Sequence, residues 1–574
     1  MQIPPLFRFG IARGLLRGAP IAVLAVLLLG AGCETKQEPP ARKRSARQLP
    51  SQDMISFMDR GRELAMKGDY GRALSEFNKA LEIDPKNAEG YYNRGRTFLE
   101  LKKYGRAAAD FTRSIALDDS DEDSFNNRGI AYYHIKNYPL AIKDFSHVIR
   151  LQPNDAGANA HYNRGNVYSR LQQLERAIED YSLSIRLDPQ SPSAYINRGR
   201  AYNQLGRHDE AIADFEKAME INPNDPLPYF NRGITHYLRR EFKRAIPEFE
   251  EALKRDPGLA PAHNNLGLTY YQLVLLEEAQ QAFSRAIEVN PKLVQAYNNR
   301  GIIHKKQNQY EKAIKDYTRA IEIDPGFAPA YNNRGSVFKN QKVYEKALTD
   351  LDQAVRLNPN SVLPYLNRGI VLYLLREFPR AIVNYDKAIN LNPEFGLAYL
   401  NRGFTYKTVK KYRKALADYD QAVELLPGFP QVYFNRGNAH MELGNNKLAI
   451  ADYDKAISLL PSYLMAYNNR GLVYANLKNY PRAITDFDRA IELGRTTAFP
   501  YSNRGLALSN LGQNEKALAD FSRAIELNPK LASPYQHRGQ SQLALRKKNA
   551  ACRDFRKACK LQSDKACALA KRNC

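Results

Sequence analysis

The sequence contains no tryptophan, and no cysteine lies between Cys33 and Cys552. Its apolar run Ile21–Ala31 is about half the ~20 residues a spanning helix needs. No phosphate-binding loop, HExxH pair, nucleophile elbow or paired-cysteine zinc pattern is present. These absences point away from a disulfide-knit interior, a conventional membrane span, a metal or other cofactor, and catalysis; the chain is read as a non-enzyme. What is abundant is Ala, Leu, Glu and Lys, with 36 Tyr, a composition that suits helices better than sheets. The formal charge of +24 invites an anionic partner, a reading weighed below.

Arg8, Arg13 and Arg17 precede the apolar run, and small residues follow it up to Cys33. This is the layout of an export signal over residues 1–32. The ending Leu29-Gly30-Ala31-Gly32-Cys33 resembles a bacterial lipoprotein signal, although that family prefers Leu where this chain has Gly30. The resemblance implies a lipidated Cys33, several acyl chains and anchorage to a membrane. Glu34, rather than Asp, follows the Cys, which in that family favours the periplasmic face of the outer membrane over the inner. An ordinary cleaved signal or an uncleaved anchor are the alternatives. Residues 33–53, with Pro39, Pro40 and Arg42-Lys43-Arg44, read as a flexible basic tether.

From Met54 onward a unit of 34 residues recurs fifteen times, interrupted only by the two extra residues Ala156 and Gly157. Position eight is Gly and position twenty is Ala in every unit. Position twenty-four is aromatic except at Leu351, and position thirty-two is Pro in twelve units. Gly and Ala let two helix backbones approach, the ring fills the space beside them, and Pro stops the second helix. The pattern resembles the tetratricopeptide repeat. That resemblance implies an all-α, right-handed superhelical solenoid of fifteen helical hairpins over residues 54–563, stable only through stacking of neighbours. Residues 564–574 read as a C-terminal capping helix.

Position seven is Arg in fourteen units, and position twenty-three is Asp or Glu in thirteen of these, as in Arg94 with Asp110 and Arg470 with Asp486. The fourteenth pairs Arg368 with Asn384, and the one unit without Arg has Leu266 opposite Ala282. Partners that vanish together predict a structural ion pair between the helices of one hairpin. The alternative is an Arg ladder that grips acidic ligands. Arginines already paired weaken the case for nucleic acid as a partner.

Position six is Asn in thirteen units: Asn93, Asn127, Asn163, Asn197, Asn231, Asn265, Asn299, Asn333, Asn367, Asn401, Asn435, Asn469 and Asn503. By resemblance this arc lines the concave surface, and the ladder is similar to that in the repeat region of O-linked N-acetylglucosamine transferases, where such asparagines hold substrate backbone. An amide both donates and accepts, matching an extended peptide without reading its side chains. The competing reading is that each Asn bonds a neighbouring helix and fixes register. Beside the ladder lie Tyr133, Phe230, Tyr237, Tyr271, Tyr373 and Phe434 with Lys305, Lys339 and Lys407. Positions two and five contain no Lys, which excludes the carboxylate clamp of chaperone-binding relatives. His236, His304 and His440 occupy position eleven and read as packing residues.

Cys552 and Cys559 are two helical turns apart, as are Cys567 and Cys574. Antiparallel helices joined by a tight turn predict nested disulfides, Cys559 with Cys567 and Cys552 with Cys574; a metal site is the alternative. The expected function is a protein-interaction scaffold that binds extended polypeptide in its groove. By resemblance to tetratricopeptide lipoproteins, it would serve envelope assembly or export machinery. Docking of folded partners on convex or edge surfaces is the second reading, and binding of anionic polymer the third.

Overall fold

The computed structural model describes residues 51–151 and 157–574. Among them the chain forms thirty-one helices and no strand. They divide into two compact units, up to Asn308 and from Gln309 onward. In each unit helices alternate between a first helix of the hairpin and a second helix of about four turns, and each packs on its sequence neighbours. No described helix is long and apolar enough to cross a membrane. The first helix begins at Gln52, two residues before the repeat frame, because the Ser51 hydroxyl caps it by accepting from the Met54 N–H.

Two local devices repeat. The turn inside each hairpin places its position-fifteen residue in the left-handed region, with Gly68, Gly206, Gly444 and Gly512 doing so without steric cost. The next N–H closes the loop, as Lys103 N–H does on the Phe98 carbonyl at 2.8 Å. At Val274 a β-branched residue is forced to φ 65°, a strained choice. Between hairpins, the Asp or Asn just before the Pro accepts from the N–H two residues on, as Asp256 does from Gly258 at 2.8 Å. Pro stops the second helix and this side-chain turn directs the chain into the next first helix.

Packing explains the invariant positions. All fifteen position-twenty alanines are fully buried. The position-twenty-four ring packs tightly against the position-eight glycine: a Cβ at Gly369 would sit 2.5 Å from Tyr385 Cε1, and one at Gly233 would sit 2.7 Å from Phe249 Cε1. Each such ring is fully buried, worth ~1.5–3 kcal/mol apiece. Leu351 substitutes for the ring while remaining fully buried.

The last hairpin is closed by the helix Asp564–Asn573. Two disulfides tie this helix to the preceding one: Cys552–Cys574 with Cα atoms 5.6 Å apart and Cys559–Cys567 at 4.7 Å. The nested pairing therefore holds, and these four cysteines form disulfides in place of a metal site.

Candidate peptide-binding face

The position-seven arginines, next in sequence to the asparagine ladder, tie the first helix of a hairpin to its second. Arg94 donates from Nε and Nη2 to both carboxylate oxygens of Asp110 at 2.7 and 2.8 Å. Arg470 does the same to Asp486 at 2.9 and 2.6 Å. The acids are buried and the guanidiniums half-buried. Hydrogen bonding to Asp110 raises the Arg94 guanidinium above its ordinary value against the opposing effect of burial. Arg368 makes the amide version of the contact, to Asn384 Oδ1 at 2.6 Å.

From Arg94 onward each guanidinium has a further partner that the repeat frame did not reveal. Arg94 Nη1 donates to Asn78 Oδ1 of the preceding hairpin at 2.8 Å, Arg128 to Thr112 at 3.3 Å and Arg436 to Asp420 at 2.9 Å. The signal was present at position twenty-five. It carries an oxygen acceptor in fourteen units, and only the last unit, which no further hairpin follows, has Arg556 there. Where Leu266 replaces the arginine, the acceptor Glu250 instead takes a hydrogen bond from Tyr270 Oη at 3.3 Å. The missing ion pair leaves a shallow notch lined by His263, Leu266, Tyr270, Gln281, Ala282 and Arg285.

None of the thirteen position-six asparagines is exposed; Asn127, Asn231, Asn265, Asn299 and Asn435 are buried. Their amides follow a rule set by position five of the preceding hairpin. Where that residue is Asn, the amide reaches across to it: Asn163 to Asn126 at 3.2 Å, Asn299 to Asn264 at 3.0 Å, Asn367 to Asn332 at 3.0 Å and Asn503 to Asn468 at 2.9 Å. Where it is Met, Ile or Leu, the amide turns back to its own helix, as Asn93, Asn231, Asn401 and Asn435 do to carbonyls four residues earlier. Asn197 finds Tyr162 Oη and Asn166 Oδ1, and Asn469 finds Asn438 Oδ1. The ladder thus joins hairpins at several steps. Gln431 Oε1 and Asn435 Oδ1 are buried acceptors that receive no hydrogen bond.

A second ladder runs beside it, from position twelve of one hairpin to position thirteen of the next. Tyr133 Oη accepts from Arg170 Nε at 2.9 Å, Tyr237 Oη from Gln272 Nε2 at 3.3 Å, and Tyr373 Oη shares a hydrogen with Thr408 Oγ1 at 3.1 Å. Lys306 Nζ lies 4.3 Å from the centre of the Tyr271 ring, and Lys407 Nζ lies 4.6 Å from that of Phe404. Burial lowers the ammonium groups of Lys305 and Lys407 to about 8. Lys339 donates to Asn367 Oδ1 at 3.2 Å. His236 bonds Glu241 at 2.8 Å, which makes it a structural contact. Cys33 and residues 1–32, expected to be an export signal, lie outside the described residues.

Sequence comparison agrees with the frame. The Tetratricopeptide repeat model matches residues 122–155, 192–225, 260–293, 294–327, 430–463, 465–496 and 498–531. A second model of that description matches 88–121 and 328–361, and a TPR repeat model matches 61–102, 165–206 and 410–444. Together they cover more than half of the chain. No curated protein matches it. Among solved structures, a chain of the APC/C hetero-tetramer Cut9-Hcn1 aligns over 91% of this chain and 96% of its own length, at 18% identity and a TM-score of 0.39. A likeness of that size bears on neither partner nor function.

Proposed function

Because the chain belongs to the tetratricopeptide repeat family, whose stacked hairpins generally serve as non-catalytic protein-interaction scaffolds, we propose that its first-helix face binds extended polypeptide. The observation that carries this reading is the tyrosine ladder. Tyr133, Tyr237 and Tyr373 are half-buried, and their hydroxyls are held by the next hairpin. Aromatic rings fixed before a partner arrives lose little conformational freedom on binding, which makes them effective anchors. Asn265, Asn299, Asn333 and the rest of the asparagine ladder would meet peptide backbone by exchanging partners.

In this proposal the chain is exported, lipidated at Cys33 and held at the periplasmic face of the outer membrane, where it serves envelope assembly or export. Substituting Cys33→Ser should move it from the membrane to the soluble fraction. Docking of folded partners elsewhere is the second reading, favoured by the notch at Leu266 and Ala282 and by the exposed Val383 and Leu448 on second helices. Co-purification separates the two. Replacing Tyr237, Tyr271 and Tyr373 with Ala should remove partners that the Val383→Asp/Leu448→Asp chain retains; the reverse pattern would overturn groove binding. The Asn265→Ala, Asn299→Ala, Asn333→Ala chain then reports whether the amides contribute.

A further inference from the structure

We propose that the first-helix face around Arg170 and Arg200 is a seat for an acidic side chain of the bound polypeptide, which rests on the peptide-binding reading above. Most internal arginines of this chain meet a carboxylate; these two do not. Arg200 is half-buried and has one weak hydrogen bond, from Nη1 to Asn197 Oδ1 at 3.4 Å. Arg170 is exposed and uses Nε on Tyr133 Oη, a bond that does not engage its two terminal nitrogens.

The repeat shows what Arg200 lacks. In the first hairpin the corresponding arginine at position nine, Arg62, forms an ion pair with Glu89 at position two of the next hairpin. The residue that corresponds to Glu89 for Arg200 is Leu227, which cannot accept a hydrogen bond or pair with a charge. Burial pulls the Arg200 guanidinium below its ordinary value, and the Arg170 cation acts in the same direction. Two like charges share one stretch of the face, among Tyr133, Tyr162 and Tyr181, with no acid acting on Arg200. The floor is rigid: Tyr181 Oη donates to Asn166 Oδ1 at 2.8 Å, and Asn197 donates to that same oxygen at 2.9 Å and to Tyr162 Oη at 3.0 Å. A carboxylate seated on Arg200, with the Arg170 charge adding to the attraction, would accept charge-assisted hydrogen bonds from that guanidinium and supply the partner it lacks. A planar guanidinium matches a carboxylate better than an ammonium does. The device differs from a carboxylate clamp in residue type and position, and it reads an acidic side chain at any point of an extended chain.

The test uses the full chain and two fluorescein-labelled peptides, one of alternating Glu and Ala and one of alternating Gln and Ala, read by fluorescence anisotropy. The Glu peptide should bind at least tenfold more tightly, about tenfold being the effect of one such contact. That preference should disappear in Arg170→Gln/Arg200→Gln and also in Leu227→Glu, which keeps both arginines and supplies the missing internal acid. Equal affinity for the two peptides, or a preference that survives both variants, would overturn the acidic seat and leave peptide binding intact. Failure of both peptides to bind would overturn both. Tighter binding of inorganic polyphosphate than of the Glu peptide, lost in the same variants, would reassign the seat to phosphate and overturn the assignment to polypeptide.

Discussion

Removal of Asp418 should loosen one hairpin far more than removal of Asp418 and Arg402 together. Arg402 donates to Asp418 at 2.9 and 2.6 Å, with the side chains 19% and 6% exposed. Asp418→Ala leaves the guanidinium with only Asp386 of the preceding hairpin, itself 43% exposed. Breaking one side of a buried pair costs ~3–5 kcal/mol, and the remaining acid puts this case at the lower end, ~3 kcal/mol. The double change Arg402→Leu/Asp418→Ala copies the natural Leu266 and Ala282. Tyr406 stands where Tyr270 stands in that hairpin, so it can take over Asp386 as Tyr270 takes Glu250. Replacing both charges by apolar groups is often close to neutral.

Repeat arrays open locally, so amide hydrogen exchange of helices Gly396–Thr408 and Tyr412–Leu425 is the suitable assay. At 1.4 kcal/mol per tenfold, Asp418→Ala should speed exchange there ~100-fold, the double variant less than ~10-fold, and helix Ala88–Glu100 not at all. Equal acceleration by the single and double variants would refute the stranded-charge argument.

Three further outcomes follow from the same contacts. Gly369→Ala gains ~1 kcal/mol in helix propensity but drives a methyl to within 2.5 Å of the Tyr385 ring, so a net loss of ~1–2 kcal/mol should appear as faster exchange in that hairpin. Asp180 is held below its ordinary 3.8 because hydrogen bonds from Arg164 and His161 outweigh burial. A depressed folded pKa stabilises above the unfolded value and is lost as pH falls through the folded one, so protection of helices Ala158–Arg170 and Leu174–Leu187 should decline only below about pH 4. Cys574→Ser opens the loop closed over 22 residues and should cost the C-terminal hairpin ~3 kcal/mol, seen as faster proteolysis of that end without loss of helicity elsewhere.

The hairpins were legible because each device repeats with its chemical reason. Gly at position eight needs the ring that covers it, and Arg disappears only where its acid does. Position twenty-five is as regular but is concealed by residue type: Asn78, Thr112, Ser146, Glu216 and Asp386 look unrelated and share only an oxygen. The asparagine ladder was legible as a pattern and not as a set of bonds. Whether Asn367 reaches Asn332 or Asn401 turns back to Leu397 depends on a residue in another hairpin, which spacing within one unit cannot show. Nothing within its own hairpin distinguishes Arg200; the difference lies at Leu227, which takes the place in the repeat that Glu89 holds for Arg62.

Site-specific photo-cross-linking in living cells tests the central claim most directly. A benzophenone side chain at position 271 or 373, on the first-helix face, should capture polypeptide in the full-length chain. The same group at 383 or 448, exposed on second helices, should not. Capture at 383 or 448 with none at 271 and 373 would contradict the account.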